Sequence, residues 1–205
     1  MAFEEEMDHA RKALALEQRV KHMQNAYVAI EKCRVPVVVG VDGACVGAGC
    51  DLITSCDIVY CTKNSFFAIK EVDIGMIADL GVLQRLPIVA TNWSLMKEYA
   101  LTGDRISSAE AQKLGLVSRI FDDSQQMRGS FMLLERLLKL ADSIASKSPV
   151  AITGIKNCLN GPRNILVQKG LDEVIRTNMS QLFANDLVDA VTASLTKSSA
   201  RFQKL

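Results

Sequence analysis

The segment from Val35 to Ile53 is the most apolar of the chain, yet it contains Pro36, four glycines, Asp42 and Asp51. Its length would suit a membrane-spanning helix, but its composition does not. Proline and repeated glycine break a helix, and an acid is expensive in lipid. The segment must instead alternate short elements. "VPVVVGV" is a brief apolar strand of the kind buried on both faces. "DGACVGAGCDLITSC" then turns through Gly-rich steps into an apolar run that suits a helix starting near Gly47.

The rest of the chain continues this alternation. Apolar residues at Met7, Ala10, Ala13, Leu14, Val20, Met23, Tyr27 and Ile30 predict one long helix over residues 4 to 32, ended by Pro36. "DIVYCT" and "NSFFAI" read as strands joined by a polar turn at Lys63 and Asn64. "DLGVLQRLPIVA" and "NWSLMKEYALT" read as helices, opening on Asp79 and Asn92 as caps. "SSAEAQKLG" is a helix with a Ser start and a Gly stop, and "LVSRIF" a strand. Beyond Asp122 the pattern is helical throughout: 123 to 147, 148 to 159, 163 to 184 and 185 to 197. This order predicts an α/β unit over residues 1–121 with a C-terminal helical region over 122–205.

Charge excludes one class of partner. With 24 basic and 23 acidic residues, scattered without a Lys/Arg run, nothing here would track a nucleic-acid backbone. The N-terminus "MAFEEEMDHARK" lacks a secretory pattern. Cys33, Cys45, Cys50, Cys56, Cys61 and Cys158 form no C-x-x-C pair, and read as small, buried, reduced side chains rather than metal ligands. Only His9 and His22 exist, both on the first helix, so acid–base chemistry falls to carboxylates, Lys, Tyr or Cys.

Three acids stand out. Asp51 falls in the first turn of the helix after the Gly-rich turn, where it either complements the dipole or faces a pocket. Glu71 either pairs with Lys70 or does chemistry, and Asp79 either caps the helix after it or does chemistry. Asp73 reads as a turn or surface acid. Free backbone N–H groups at the start of the helix near Gly47 suit an oxygen that becomes negative. Two carboxylates held against one carbon skeleton by apolar walls can remove a proton at one position and return it at another.

The run "VPVVVGVDGACVGAGCDLITSCDIVYCTKNSFFAIKEVDIGMIADLGVLQRLP", followed by "ALTGDRISSAEAQKLGLVSRIF" and "KSPVAITGIK", resembles the crotonase (enoyl-CoA hydratase/isomerase) superfamily across residues 25 to 205. The branch it most resembles is that of the Δ3,5-Δ2,4-dienoyl-CoA isomerases. The resemblance implies a spiral of ββα turns with a C-terminal helical region that assembles trimers or hexamers. It implies an acyl-CoA thioester substrate, with no cofactor and no metal, coenzyme A being part of the substrate. The N–H of Ala48 matches an oxyanion-hole donor for the thioester carbonyl, flanked by Gly47 and Gly49. Asp51 and Glu71 match positions where hydratases carry glutamates, and Asp79 matches the aspartate of the dienoyl isomerases. In that branch Glu71 and Asp79 would shuttle the proton and Asp51 would support them.

Two departures follow from the same comparison. Ala48 replaces a glycine common at the oxyanion position. Family members also carry several ββα turns ahead of the first helix, so the expectation is an N-terminally truncated chain without the second oxyanion N–H and much of the CoA nucleotide site. The expected function is isomerisation of 3,5-dienoyl-CoA to 2,4-dienoyl-CoA in fatty-acid β-oxidation. The alternatives are an enoyl-CoA hydratase and a catalytically inactive oligomerisation partner. The terminal Gln203-Lys204-Leu205 resembles a peroxisomal address, with the mitochondrion as the other expected compartment.

Overall fold

The computed structural model describes residues 7–122 and 126–203, the side chains of 126–130 excepted. The first helix, α1 (His9–Glu31), begins on Asp8, whose carboxylate accepts from the Arg11 N–H at 2.8 Å. Its buried stripe is Leu16, Val20, Gln24 and Glu31, while Leu14 and Met23 lie exposed. The helix therefore forms where periodicity places it, but its inner face is not the apolar one expected. Gln24 and Glu31 turn inward because each has a buried polar partner, described below.

After α1 the strands alternate between two sheets. β1 (Val38–Val41), β3 (Ile58–Thr62) and β6 (Arg119–Phe121) form one, all parallel, in the order β1-β3-β6. β2 (Ala44–Val46), β4 (Phe66–Ala68) and β5 (Ile106–Ser107) form the other, with β2 parallel to β4 and β5 antiparallel to it. Each β1-to-β2 or β3-to-β4 corner passes the chain from one wall to the other, and a helix returns it: a spiral of ββα turns. Successive corners are stitched together. The Thr62 hydroxyl meets Asp42 Oδ1 at 2.9 Å, and the Ser65 hydroxyl donates to the Val41 carbonyl at 2.9 Å.

The expected strands are present, with one correction. Val38 and Val39 are only half-buried and Gly40 is exposed, because among the described residues β1 pairs on one side only, with β3. Short helices close the turns: α2 (Ala48–Ser55), a 3-10 turn (Glu71–Ile74), α3 (Val82–Val89), α4 (Trp93–Thr102) and α5 (Ser108–Leu114). Asn92 caps α4 through the Leu95 N–H at 3.0 Å, and Ser107 with Glu110 forms a capping box on α5, as their sequences predict. Val41, Ile53, Val59, Phe67, Val82, Leu86, Ile106 and Leu114 fill the space between walls and helices. Cys45, Cys50, Cys56 and Cys61 are buried free thiols, but Cys33 is half-buried and Cys158 is exposed.

The helical region holds α6 (Gln126–Ala145), α7 (Pro149–Gln181) and α8 (Asn185–Thr196). Two helices were expected where α7 runs unbroken for 33 residues with Pro162 inside. A mid-helix proline forfeits a hydrogen bond and crowds the preceding turn. Here the flanks are pinned from outside: Lys156 Nζ and Asn160 Nδ2 reach Asp57 at 2.7 and 3.2 Å, and Arg163 Nη2 reaches the Thr54 carbonyl at 2.7 Å. No helix among the described residues is long and apolar enough to cross a membrane.

α1, α3 and α7 meet at a buried ion cluster. Arg85 of α3 is wholly buried and donates from Nη2 to Glu31 Oε2 at 3.0 Å. Its Nε lies 3.0 Å from Glu31 Oε1, a charge contact without hydrogen-bond alignment, and Arg163 approaches the same oxygen at 3.5 Å. Removing one partner of such a group strands the remaining charges out of water. Glu31→Ala is expected to lower unfolding stability by about 3–5 kcal/mol in urea titrations. A loss below about 1 kcal/mol would show that water reaches both guanidinium groups once Glu31 is gone.

Candidate active site

Gly47 stands between β2 and α2 with φ +57, and its N–H donates to the Ala68 carbonyl at 2.9 Å. A side chain there would be strained, and its Cβ would meet Glu71 Oε1 at 3.1 Å. The start of α2 and the Glu71 carboxylate are thus packed against one another. The N–H of Ala48, in the first turn of α2, has no acceptor within its own helix and is aligned with the helix dipole. Gly49 has a different setting: a Cβ there would press on Cys45 Sγ at 3.2 Å, so its smallness serves packing between α2 and β2.

Asp51 is buried in the first turn of α2, and its Oδ1 accepts from the Val82 N–H at 2.6 Å. It therefore caps α3 rather than its own helix. The expectation that Asp79 caps α3 is corrected here. The helix begins at Val82 after Gly81, with no side-chain cap from the preceding residues. Asp79 is left free of that task and is buried, with Oδ2 accepting from Asn178 Nδ2 of α7 at 2.8 Å. Its backbone carbonyl accepts from Gln24 Nε2 of α1 at 2.7 Å.

Glu71 opens the 3-10 turn. Its Oε2 is buried with no hydrogen-bond partner among the described residues. It does not pair with Lys70, which instead reaches Asp73 at 2.6 Å on the exposed side. Asp73 is a surface acid, as its sequence setting suggests. Gly81, at φ +130, makes room for the Arg85 guanidinium, whose Nη1 would lie 1.5 Å from a Cβ on that residue. Arg85 Nη1 donates to the Leu80 carbonyl at 2.9 Å, fixing the turn that carries Asp79.

Burial dominates the electrostatics of the trio. It pushes the Asp51 carboxyl up to about 7, against the opposing pull of the Val82 N–H and of Arg85, with the charges of Glu71 and Asp79 adding to the rise. Burial also raises Glu71, helped by the neighbouring Asp79 charge. Asp79 is raised by burial and held back by the Asn178 amide. All three acids are thus shifted upward, in the direction that general acid–base work near neutral pH requires.

Two nearby side chains escaped the sequence reading. Tyr27, half-buried on α1, feels the Asp51, Arg85 and Glu71 charges, and burial raises its phenol above the ordinary range. The sequence places it in the apolar stripe, and its position three residues from Gln24 and four from Glu31 puts it on their face of the helix. Asn178 lies 99 residues from Asp79 in sequence, and no local pattern signals it. His22 is exposed, and His9 is exposed and packs edge-on to Phe183 at 6.2 Å, so neither histidine joins the trio. Elsewhere, a 330 Å³ cavity at the α6–α7 corner is lined by aliphatic groups with Arg34 and Lys147, and holds no carboxylate.

The chain as a whole is similar to known proteins. The sequence model of the enoyl-CoA hydratase/isomerase family matches residues 4–203. The peroxisomal Δ(3,5)-Δ(2,4)-dienoyl-CoA isomerase of Arabidopsis thaliana is 44% identical over 97% of this chain and 69% of its own length. The mitochondrial enzyme of the same name from Rattus norvegicus is 42% identical over 97% of this chain. The chain spans 60% of the length of that relative. Among solved structures, an enoyl-CoA hydratase from Mycobacterium avium subsp. paratuberculosis superposes with a TM-score of 0.80 at 22% identity, covering 92% of this chain and 74% of that one. An enoyl-CoA hydratase/isomerase from Mycobacterium paratuberculosis gives 0.75 at 30% identity, covering 85% and 66%.

Buried acids carry a sign that thermal unfolding can read. Between the ordinary aspartate value of 3.8 and about 7, folded Asp51 keeps a proton that the unfolded chain has released. Its contribution is present in full below the lower value and is lost as pH rises through the upper one. Asp51→Asn keeps an acceptor for the Val82 N–H and removes the charge. It should be more stable than the parent at about pH 8, by on the order of a few kcal/mol, and closely matched at about pH 4. Equal stability at both pH values would mean that Asp51 is not strained by burial.

Proposed function

The chain belongs to the enoyl-CoA hydratase/isomerase family, and from that premise we propose that it isomerises 3,5-dienoyl-CoA to 2,4-dienoyl-CoA in fatty-acid β-oxidation. The observation that carries this reading is the convergence of Asp51, Glu71 and Asp79, from three separate elements, beside the N–H of Ala48. The names of the plant and rat relatives support it.

The reaction moves both double bonds one position toward the thioester. Carbon 2 loses a proton, the electron pair spreads along the conjugated chain into the carbonyl, and carbon 6 gains a proton. The Ala48 N–H, reinforced by the α2 dipole, donates to the thioester oxygen as it becomes negative. The two carbons are too far apart for one rigid carboxyl to serve both, which is the need a separated Glu71 and Asp79 meet. Asp51 supports them by fixing the start of α3 through the Val82 N–H. The substrate's own coenzyme A suffices, and no metal or further cofactor takes part. The half-exposed and exposed apolar residues of α6, α7 and α8, among them Leu138, Ile155 and Leu195, are assigned to contacts in a trimer or hexamer.

We assign the chain to the peroxisome or the mitochondrion, the compartments named for those relatives; Lys204 and Leu205, which would complete a peroxisomal address with Gln203, lie outside the described residues. Purified protein should shift the ultraviolet absorbance of a 3,5-dienoyl-CoA. Glu71→Gln and Asp79→Asn should each slow it by about 10²–10⁴-fold. Full rate in Asp79→Asn would overturn the role given to it. Faster hydration of crotonyl-CoA than dienoyl isomerisation would make the chain a hydratase, and absence of acyl-CoA binding would make it an inactive partner.

A further inference from the structure

Asn178 is one of the most buried polar side chains of the protein, at 1% exposure, and it comes from the helical region rather than from the spiral. Its Nδ2 faces two acceptors, Asp79 Oδ2 at 2.8 Å and the Ile77 carbonyl at 3.4 Å. Its Oδ1 is buried and finds no partner among the described residues. An amide rotated by half a turn would set its oxygen against both of those oxygens, so only the donor can point this way. A half-satisfied buried amide is poor glue: an apolar side chain of similar volume would hold α7 in place without leaving an oxygen dry.

Apart from its own backbone N–H, the Asp79 carboxylate has that amide as its favourable polar contact among the described residues. Asp51 on α2 and Glu71 on the 3-10 turn are like charges. Arg85 on α3 is committed to Glu31 of α1 and to the Leu80 carbonyl. Gln24 of α1 bonds the Asp79 backbone, not its carboxylate, and Tyr27 of the same helix is a neutral phenol. On α7 itself, Lys156 and Arg163 are engaged with Asp57, Thr54 and Glu31. Glu71 meets backbone N–H groups, but its buried Oε2 has no donor among the described residues.

We infer that Asn178 is a positioning residue for catalysis: its amide fixes the rotamer of Asp79 and holds that carboxylate in the ionised, proton-accepting form, so that the two acids of the pair begin the cycle in different states. The inference rests on the reading that Glu71 and Asp79 exchange the proton. It also gives the C-terminal helices a part in the chemistry, since α7 carries the residue that prepares the base.

The test separates this role from simple packing. In protein labelled with ¹³C-carboxyl aspartate, the Asp79 resonance is identified by its loss in Asp79→Asn and followed through a pH titration. Asn178→Leu should move its titration to higher pH. Asn178→Ala, which removes the donor without adding a charge or needing more space, should do the same. Gln24→Leu breaks an equally buried bond to the same residue's backbone and should leave the titration where it is. In the dienoyl-CoA assay, the acid limb of kcat/KM should move alkaline in both Asn178 variants. At the pH of the parent's half-maximum, their rate should fall by about tenfold, and by less on the plateau. An unmoved Asp79 titration in both variants overturns the proposal and leaves Asn178 a packing residue. A moved titration in a chain that isomerises no dienoyl-CoA upholds the role of Asn178 and removes the assigned reaction instead.

Discussion

The guanidinium of Arg85 has no access to water, and the geometry of the carboxylate trio depends on how its charge is met. Glu31 neutralises it from α1, the Leu80 carbonyl takes a second donor, and Gly81 supplies the space through which it passes. These contacts hold three things at once: the angle between α1 and α3, the turn from Asp79 to Gly81, and the N–H of Val82 in reach of Asp51. A hydrophobic residue at position 85 would fill the volume but would leave the Leu80 carbonyl and Glu31 without a donor. The cluster is thus better understood as a device for specifying one arrangement than as a source of net stability.

Around that cation the protein assembles an arrangement unfavourable to folding. Asp51, Glu71 and Asp79 are gathered in low-dielectric surroundings, where each disfavours ionisation of the others. The chain tolerates this by giving each a neutral donor: the Val82 N–H for Asp51, the Asn178 amide for Asp79 and backbone N–H groups at Lys70 and Glu71 for the Glu71 carboxylate. Among the described residues Glu71 Oε2 receives none. A site that moves protons between carbons near neutral pH needs acids whose charged and neutral forms are close in free energy, and unequal donation is how three similar side chains come to differ.

Much of the fold was legible in the sequence because it is local. The Ser107–Glu110 capping box, the Asn92 cap and the continuous apolar runs of β3 and β4 are set by residues within a few positions of one another. The errors share one cause. The sequence suggests separate helices over 148–159 and 163–184, but Lys156, Asn160 and Arg163 secure both sides of Pro162 to Thr54 of α2 and to Asp57 just after it. Asp79 was read as a cap for α3, but Asp51 reaches the Val82 N–H first. The inner face of α1 was read from its apolar residues, but Gln24 and Glu31 have buried partners that pull the stripe round. In each case tertiary hydrogen bonds outweighed a local preference, about 1 kcal/mol for a cap and about 3 kcal/mol for a mid-helix proline.

For the site, the sequence by itself determined which groups are available. A chain with two histidines, both on its first helix, and three acids following a Gly-rich turn has carboxylates as its proton carriers, and the motif order identifies the family. Only the tertiary structure decided what each carboxylate meets. It turned Asp73 outward to Lys70, gave Asp51 the end of another helix, left Glu71 with an unpartnered oxygen and brought Asn178 to Asp79 from the far end of the chain. The reason is physical: residue type sets what a group can do, whereas burial and donor count set its protonation state, and both depend on neighbours that the chain brings together only when it folds.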